Sequence, residues 1–329
     1  MEITEVKQIL TTHLQKTKLH GDKYIQSLCP FHSESEPSFV YYFDNDYYKC
    51  FSCGAHGHLN DLLKLWGMED KIEVSPKDKE DKKEFTIEKF IPTKANFDEI
   101  YELSEKYFHN LHGITSKQFL ESRSVKINDK HTYWLNRGIS IDTLVQMGIG
   151  CGEDGRGFFY SVPYFWIDDD KEIKAENFTV IAIKKIYPHQ GKEGKKDSYA
   201  TYPEGISIPL YHEAALLYAK QTGKTVGIFE GEKDVIMAVD QGLGRTSVGI
   251  AGKNAFKTSY LPLFSGIQKV VLFLDNDADK EMDDIIEMFN RYRNVVPHLP
   301  KVSKFNWGLY DLPKGGDYTD LIHMQLLKV

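Results

Sequence analysis

The chain has 329 residues, of which 41% are hydrophobic and 13% aromatic, a composition that excludes a disordered protein and suits two or three folded domains. Its formal net charge of -7 argues against nucleic-acid binding only if the charge is evenly spread, because a local basic face can still bind phosphates. No apolar run approaches the roughly 18 residues of a membrane span, and the N-terminus lacks a signal-peptide pattern, so we expect a cytoplasmic protein with no membrane partner.

The N-terminal segment predicts a helix followed by a metal site. Apolar residues recur at helical spacing over residues 2–14. Cys29 and His32 form one pair with two intervening residues, and Cys50 and Cys53 form a second pair of the same spacing. Four such side chains suit the tetrahedral coordination of one structural zinc ion. The alternative is a set of free thiols beside a surface histidine.

The segment between the two pairs predicts a β-hairpin, because aromatic runs lie on both sides of the turn-like residues 44–46. A hairpin that carries the second ligand pair is a zinc ribbon. Four of its side chains can stack on bases or contact phosphates of a single strand, although each aromatic ring can equally fill the ribbon's small core. These side chains are Tyr41, Tyr47, Lys49 and Phe51.

A charged stretch follows the ribbon. Residues 69–84 contain seven acidic and five basic side chains in sixteen positions, too many to bury a core. This composition predicts a flexible tether over 69–95, with a solvated helix rich in charge pairs as the alternative. Beyond it, residues 96–150 are predicted to be mainly helical, and 158–186 to form strands.

From residue 224 onward the pattern alternates between strands and helices. Such alternation predicts a mostly parallel sheet with helices on its faces, and hence an α/β fold within an α+β multidomain chain. The predicted strands are 225–229, 246–250, 269–274 and 294–299, and the predicted helices are 233–239, 255–263 and 281–290.

Acidic residues follow two of these predicted strands. Glu230 comes after the first, and Asp275 and Asp277 come after the third. Ligands of open α/β sheets bind at the carboxyl ends of the strands, and oxygen ligands favour magnesium or manganese. The alternative is that the aspartates cap and solvate the helix that follows.

A basic segment precedes the predicted parallel sheet. Residues 184–196 carry five lysines and one glutamate, a local charge of +4 that suits a phosphate path. The alternative is a solvated lysine-rich loop. The lysines are Lys184, Lys185, Lys192, Lys195 and Lys196.

Residues 29–39, Cys-Pro-Phe-His-Ser-Glu-Ser-Glu-Pro-Ser-Phe, and 48–57, Tyr-Lys-Cys-Phe-Ser-Cys-Gly-Ala-His-Gly, resemble the zinc-binding domain of bacterial DnaG-type primases. The resemblance includes positions other than the ligands. In that family the ribbon recognises the template and helps to start the primer, so the resemblance implies this role here.

Three later acidic motifs resemble the TOPRIM module shared by DnaG-type primases, topoisomerases and some nucleases. In chain order they are Glu230-Gly231 with Asp234, then Asp275 with Asp277, and then residues 314–320. The resemblance implies that Glu230 is an acid/base or a metal ligand and that the aspartates of the second motif are metal ligands. It also implies that Asp317 binds a further ion and that Asp234 contacts the nucleotide.

The resemblance extends to the basic residues. Residues 133–138 resemble a family signature that includes Arg137, and residues 198–204 resemble a motif whose usual leading lysine is Ser198 here, so Lys195 or Lys196 is expected to replace it. The implied nucleic-acid or nucleotide contacts are Arg137, Lys184, Lys185, Lys195 and Lys196.

Three departures indicate a divergent member of the family, of a phage or mobile-element type. Asn276 stands where the family usually has glycine, and Ala278-Asp279 stands where it has Ala-Gly. Residues 249–253 replace the family's glycine-threonine-alanine loop.

The expectation is therefore a DNA primase with four segments: a zinc ribbon at 1–68, a linker at 69–95, an N-terminal subdomain of the RNA polymerase core at 96–223 and a TOPRIM domain at 224–329. It would use ribonucleoside triphosphates, one structural zinc ion and catalytic magnesium or manganese to synthesise short RNA primers on single-stranded DNA. The alternatives are a TOPRIM nuclease and a zinc-dependent single-strand-binding replication adaptor. Cellular members usually carry a further C-terminal domain that docks on the replicative helicase, so any helicase is expected to be a separate chain.

Overall fold

A computed structural model describes residues 2–53, 55–68, 71, 92, 96–122, 124–167, 177–189, 196–206, 208–241 and 244–324. The chain divides into two compact units. Unit 1 comprises Met1–Lys89, Lys253–Gly266 and Asp279–Val302, and unit 2 comprises Phe90–Gly252, Ile267–Ala278 and Ser303–Val329. Lys195 and nearly all of the predicted linker lie outside the described residues, and the four predicted segment boundaries stay a prediction.

The N-terminal part of unit 1 is a small antiparallel sheet between two helices. The elements are α1 (Ile3–His13), β1 (Lys18–His20), β2 (Tyr24–Ser27), β3 (Phe39–Tyr42), β4 (Tyr47–Cys50), β5 (His56–Gly57) and α2 (Leu59–Leu65), with the strands in the order β1-β2-β3-β4-β5. Ile25, Tyr41 and Tyr48 are neighbours across three strands and are all buried. Side chains alternate between the two faces of a strand, so the intervening residues lie on the opposite, outer face.

The remaining segments of unit 1 include helix α9 (Asp279–Arg291), which contacts the ribbon, and the 3-10 helix Thr258–Phe264, which packs on α9. Phe31 is buried against Tyr292, with ring centroids 6.3 Å apart. Arg291 donates a hydrogen bond to the Pro30 carbonyl (3.0 Å), and Ser33 donates one to Asp284 (3.1 Å). Residues 30, 31 and 33, within and next to the first metal-ligand pair, therefore contact α9 and the residue that follows it.

The N-terminal part of unit 2 is a set of helices, as predicted. They are α3 (Phe97–His112), α4 (Ser116–Ser122), α5 (Thr132–Leu135) and α6 (Ile141–Gln146). The Asn96 side chain caps the start of α3 by accepting a hydrogen bond from the Glu99 amide, and Gly113 ends the helix with a φ of 73°.

An antiparallel sheet of four strands follows, in the order β6 (Gly150–Asp154), β7 (Gly157–Trp166), β8 (Thr179–Tyr187) and β9 (Ser198–Tyr202). Helix α3 packs on this sheet through Ile100, which is buried with Val180 and Ile183 of β8. The prediction of strands in this region is confirmed.

The C-terminal part contains the predicted parallel sheet. Its elements are α7 (Ala214–Thr222), β10 (Val226–Phe229), α8 (Glu232–Asp240), β11 (Ser247–Gly249), β12 (Lys269–Phe273), β13 (Lys301–Lys304) and α10 (Tyr318–His323), with the strands in the order β11-β10-β12-β13. Strand β10 pairs in parallel with both β11 and β12, and all four of its side chains are buried, as expected of a central strand. The predicted α/β fold class is confirmed.

One predicted strand was wrong, and one predicted helix differs in its bounds and type. The strand predicted at 294–299 does not form, and β13 comes after it instead. The amides of Val295 and Val296 both donate to the Tyr292 carbonyl, which turns the chain at the end of α9. Pro297, inside the predicted strand, cannot donate a hydrogen bond to a neighbouring strand. The helix predicted at 255–263 is the 3-10 helix Thr258–Phe264, which contains Pro262. None of the described helices is long and apolar enough to cross a membrane.

Candidate metal centres and nucleotide-binding residues

The four predicted zinc ligands come together in unit 1. The Sγ atoms of Cys29 and Cys53 are 3.8 Å apart, and the Cys50 Sγ is 3.9 Å from the Nδ1 of His32. All four ligand atoms lie within 4.8 Å of one another. A tetrahedral zinc ion with Zn–S bonds of about 2.3 Å requires S···S distances of about 3.8 Å. The donor set and its geometry therefore fit one closed zinc site.

Glu34 supports this site from outside the ligand set. One of its carboxylate oxygens lies 3.1 Å from the Nε2 of His32, the ring nitrogen that faces away from the cysteines. The other oxygen accepts hydrogen bonds from the amides of Cys29 (2.8 Å) and Ser38 (3.0 Å). A carboxylate that accepts a hydrogen bond from the outer nitrogen of a histidine ligand orients the ring and raises its basicity. Glu34 lies close enough to His32 for this role, and a small rotation of the ring would align the two groups. In the sequence, Glu34 stands out only as part of the family motif at residues 29–39.

The outer face of the ribbon carries three of the four side chains that the sequence singled out for single-strand contacts. Tyr47 and Lys49 alternate with buried residues along β4, and Phe51 follows with 64% of its surface exposed. The Lys49 ammonium lies 5.6 Å from the Phe51 ring. Tyr41 is instead 2% exposed and hydrogen-bonded to Asp46, so it belongs to the ribbon core.

The carboxylates of the first and second acidic motifs follow neighbouring strands of the parallel sheet. Phe229 at the end of β10 pairs with Phe273 at the end of β12, so Glu230 and Asp275 come one and two residues after the paired positions. Burial, followed by the nearby charges of Glu230, Asp317 and Asp277, raises the pKa of Asp275 to about 7. Mutual repulsion of this kind is relieved by a divalent cation, which carboxylate oxygens ligate.

The third acidic motif joins the same cluster. Asp317 is the N-cap of α10: it accepts a hydrogen bond from the Asp320 amide (2.8 Å), and the Asp320 carboxylate accepts one from the Asp317 amide (3.2 Å). Burial raises the pKa of Asp317. Burial also raises the pKa of Asp234, and the charge of Asp317 adds to the shift. Asp234 is 7% exposed and accepts hydrogen bonds from Thr319, so it contacts protein rather than solvent.

Two of the predicted basic contacts are already paired within unit 2. Lys184 donates to both carboxylate oxygens of Glu232, at 2.6 and 2.8 Å. Lys185 donates to Asp154 (2.8 Å), and its ammonium lies 4.5 Å from the Phe159 ring. The charges of both lysines are therefore engaged by protein carboxylates.

Lys196 and Arg137 have different surroundings. Lys196 is exposed, and its charge lowers the pKa of Asp275, so it lies near the carboxylate cluster. The Arg137 guanidinium lies over the Tyr133 ring at 3.7 Å and donates to the Tyr133 carbonyl (2.9 Å). Its own carbonyl is hydrogen-bonded to His323 of α10 (2.7 Å).

Two residues of this region were missed from the sequence. Glu232 is 3% exposed and accepts the hydrogen bonds of Lys184. Lys233 donates a hydrogen bond to Asp197 (3.2 Å), and its ammonium lies 5.8 Å from the exposed Tyr199 ring. The available signal was their position directly after Glu230-Gly231, in the first turn of α8.

Comparison with known proteins identifies relatives of this chain. Residues 1–73 match the family model described as the CHC2 zinc finger. The chain is 25% identical over 307 residues to a DNA primase of Chlamydia muridarum, covering 82% of this chain and 48% of that protein. It is 24% identical over 320 residues to a DNA primase of Clostridium acetobutylicum, covering 84% of this chain and 50% of that protein. The chain thus spans about half the length of the curated relatives it matches.

A solved structure of similar extent is that of the Aquifex aeolicus primase, comprising its zinc-binding and RNA polymerase domains. It covers 98% of this chain and 83% of its own, with 16% identity and a TM-score of 0.45. The family and sequence matches confirm the predicted resemblance to DnaG-type primases, and the CHC2 match confirms the zinc ribbon.

Proposed function

We propose that this chain is a DNA primase that synthesises short RNA primers on single-stranded DNA. The observation that carries the proposal is the cluster of Glu230, Asp275 and Asp277 after adjacent parallel strands, in a chain similar to DNA primases over more than four-fifths of its length. Binding of a cation at the carboxyl ends of a parallel sheet is a common arrangement for nucleotide chemistry.

Glu230, Asp275 and Asp277 are the proposed ligands of magnesium or manganese, with Asp317 as a ligand of a further ion. The bound ions would stabilise charge on the phosphates of an incoming ribonucleoside triphosphate. Lys196 is the proposed phosphate contact, a role supported by its exposure and its effect on Asp275. The carboxylates repel one another, and bound cations would relieve that repulsion.

Arg137 is a second proposed contact for nucleic acid, through a guanidinium whose orientation is fixed on Tyr133. For Lys184 and Lys185 we propose a supporting role, because the Lys184–Glu232 ion pair joins β8 to α8 and the Lys185–Asp154 ion pair joins β8 to β6. Removal of these two lysines is then expected to lower stability more than DNA affinity.

The outer face of the ribbon is the proposed contact for the template. Phe51 offers an exposed ring for stacking, Lys49 offers an ammonium for phosphates, and Tyr47 continues the same face of β4. The zinc ion holds the hairpin that presents these side chains and has no open coordination position for chemistry.

A replicative helicase on a separate chain is a further part of the proposal. A cytoplasmic location is another, because the proposed template is replicating DNA. Both rest on the similarity to DNA primases rather than on a feature of the described residues.

A priming assay tests the activity. The full chain is mixed with single-stranded DNA of mixed sequence, labelled ribonucleotides and magnesium or manganese, beside Asp275→Ala and Asp277→Ala. Asp142→Ala, an exposed aspartate on α6, is the matched control. Short labelled RNA from the unaltered chain and the control, and none from the two cluster variants, supports the proposal.

The other outcomes separate the alternatives. Strand cleavage that needs the same carboxylates but no ribonucleotides indicates a nuclease. Single-strand binding that survives both substitutions, with no product from any variant, indicates a binding adaptor. Full primer synthesis by Asp275→Ala and Asp277→Ala would show that the cluster is not the active site.

A further inference from the structure

Hydrogen bonds of Asn276 hold the segment that carries Asp317 against the second acidic motif. The Asn276 side chain donates a hydrogen bond to the Pro313 carbonyl (2.7 Å) and accepts one from the Gly315 amide (2.7 Å). Its backbone amide donates to the Gly316 carbonyl (2.9 Å). Three hydrogen bonds from one residue therefore hold residues 313–316 beside the Asp275–Asp277 motif.

The sequence of residues 313–316 suits this contact. Gly315 has a φ of 74°, a left-handed conformation that favours glycine. A Cβ at Gly316 would lie 2.9 Å from the Pro313 carbonyl oxygen. Both glycines are thus needed for the loop to close over Asn276. A glycine at position 276 would keep only the backbone bond and lose the two side-chain bonds.

On the far side of Asp317, Thr319 is hydrogen-bonded to the first acidic motif. The Asp234 carboxylate accepts hydrogen bonds from the Thr319 amide (3.3 Å) and the Thr319 hydroxyl (2.8 Å). Asp317 lies between these two hydrogen-bonded positions, and the capping of α10 fixes its backbone further. The position of its carboxylate relative to Asp275 thus depends on contacts from both neighbouring motifs.

We propose that Asn276 is a positioning residue for the divalent-cation site: it holds Asp317 toward Asp275 and so sets the affinity of the site for the metal. The inference rests on the proposed function, because it takes the carboxylate cluster to be a metal site. Asn276 does not itself ligate the ion, since both polar groups of its side chain are used by the 313–316 segment.

The test uses the full zinc-loaded chain and four variants: Asn276→Ala, Asn276→Gly, Asp275→Ala and, as control, Asn294→Ala at an exposed asparagine of unit 1. Manganese binding is measured from the electron paramagnetic resonance signal of the free ion. Hydrogen exchange of residues 312–318 is measured in parallel by mass spectrometry. Asp275→Ala defines how much manganese binding belongs to the cluster.

We expect both Asn276 variants to bind manganese about tenfold more weakly, the usual effect of losing a group that orients a metal ligand. Exchange at Gly315 and Gly316 should be faster, and the control should match the unaltered chain. In priming reactions the metal concentration for half-maximal rate should rise, while the rate at saturating metal changes little.

Three results decide the matter. Unchanged manganese affinity in both Asn276 variants overturns the inference, even if their thermal stability falls. If the unaltered chain binds no manganese that Asp275→Ala removes, the metal site fails, and the inference fails with it. If manganese binding depends on Asn276 but no RNA is made, the inference stands and the proposed function does not.

Discussion

Replacement of Lys184 by methionine should destabilise unit 2 strongly. The Lys184 ammonium contacts both oxygens of Glu232, and the two side chains are only 13% and 4% exposed. The Tyr164 hydroxyl also donates to Glu232 and is a hydrogen-bond donor that remains after the substitution. Loss of one partner from a buried ion pair leaves an uncompensated charge and typically costs about 3–5 kcal/mol.

The adjacent lysine provides a matched control. Lys185 also loses an ion pair when it is replaced by methionine, but its partner Asp154 is 30% exposed and can be solvated. Asp154 also keeps a hydrogen bond from the Tyr187 hydroxyl. Pairs of this kind contribute about 1 kcal/mol or less, so Lys185→Met should be several-fold less destabilising than Lys184→Met.

Urea unfolding measures the difference. Three of the chain's four tryptophans, Trp134, Trp166 and Trp307, lie in unit 2, so the fluorescence signal mainly reports on that unit. The double variant Lys184→Met/Glu232→Gln removes the buried charge together with its partner. It should regain a large part of the stability that the single variant loses.

Equal stability of Lys184→Met and Lys185→Met, or a double variant that regains no stability, would show that burial of the Lys184–Glu232 pair does not govern the loss. A Lys184→Met protein with unchanged unfolding and lost single-strand affinity would show that Lys184 binds DNA, and the supporting role assigned to it would be wrong.

Three further outcomes are expected. His131 and His112 are buried and hydrogen-bonded to each other (3.2 Å), and burial lowers the pKa of His131 and lowers that of His112 to about 4. As the pH falls from about 6.5 toward 4, His112 binds a proton in the unfolded state but not in the folded state, so the free energy of unfolding should fall by about 3 kcal/mol. His112→Gln should flatten this pH dependence in urea titrations. Glu34→Gln should weaken zinc binding about tenfold in competition with a chromogenic chelator, and an unchanged affinity would contradict the role given to its carboxylate. Phe51→Ala should weaken single-strand binding by about 1–3 kcal/mol in fluorescence anisotropy. Tyr41→Phe, in the ribbon core, should leave it unchanged, and equal losses would argue against the outer face.

Local patterns predicted much of this molecule. The zinc ligands were found because two short pairs fix their own geometry, and β10 and β12 were found because both are continuous apolar runs, of which β10 is fully buried. Tyr41 was grouped with Tyr47 because spacing alone does not give the pairing of strands. The register places Tyr41 opposite Tyr48, on the buried face.

Long-range partners account for what the sequence could not predict. Lys184 and Lys185 belong to a basic run, and the carboxylates that pair with them lie 48 and 31 residues away. Asn276 was noted only as a departure from glycine, since its partners at Pro313 and Gly315 are 37 and 39 residues distant. The strand predicted at 294–299 failed for a more local reason. Arg293 binds the carbonyls of Leu299 and Pro300, and the chain turns there instead of extending.

The covalent path between the two units has a consequence for how this protein can be cut or recombined. The backbone passes from one unit to the other five times, after residues 89, 252, 266, 278 and 302. A single proteolytic cleavage in the charged stretch at 69–84 therefore leaves α9 and the 3-10 helix of unit 1 covalently attached to unit 2. Exchange of the ribbon with a homologue by one crossover would likewise pair it with a foreign α9, so Phe31 and Tyr292 have to be exchanged together.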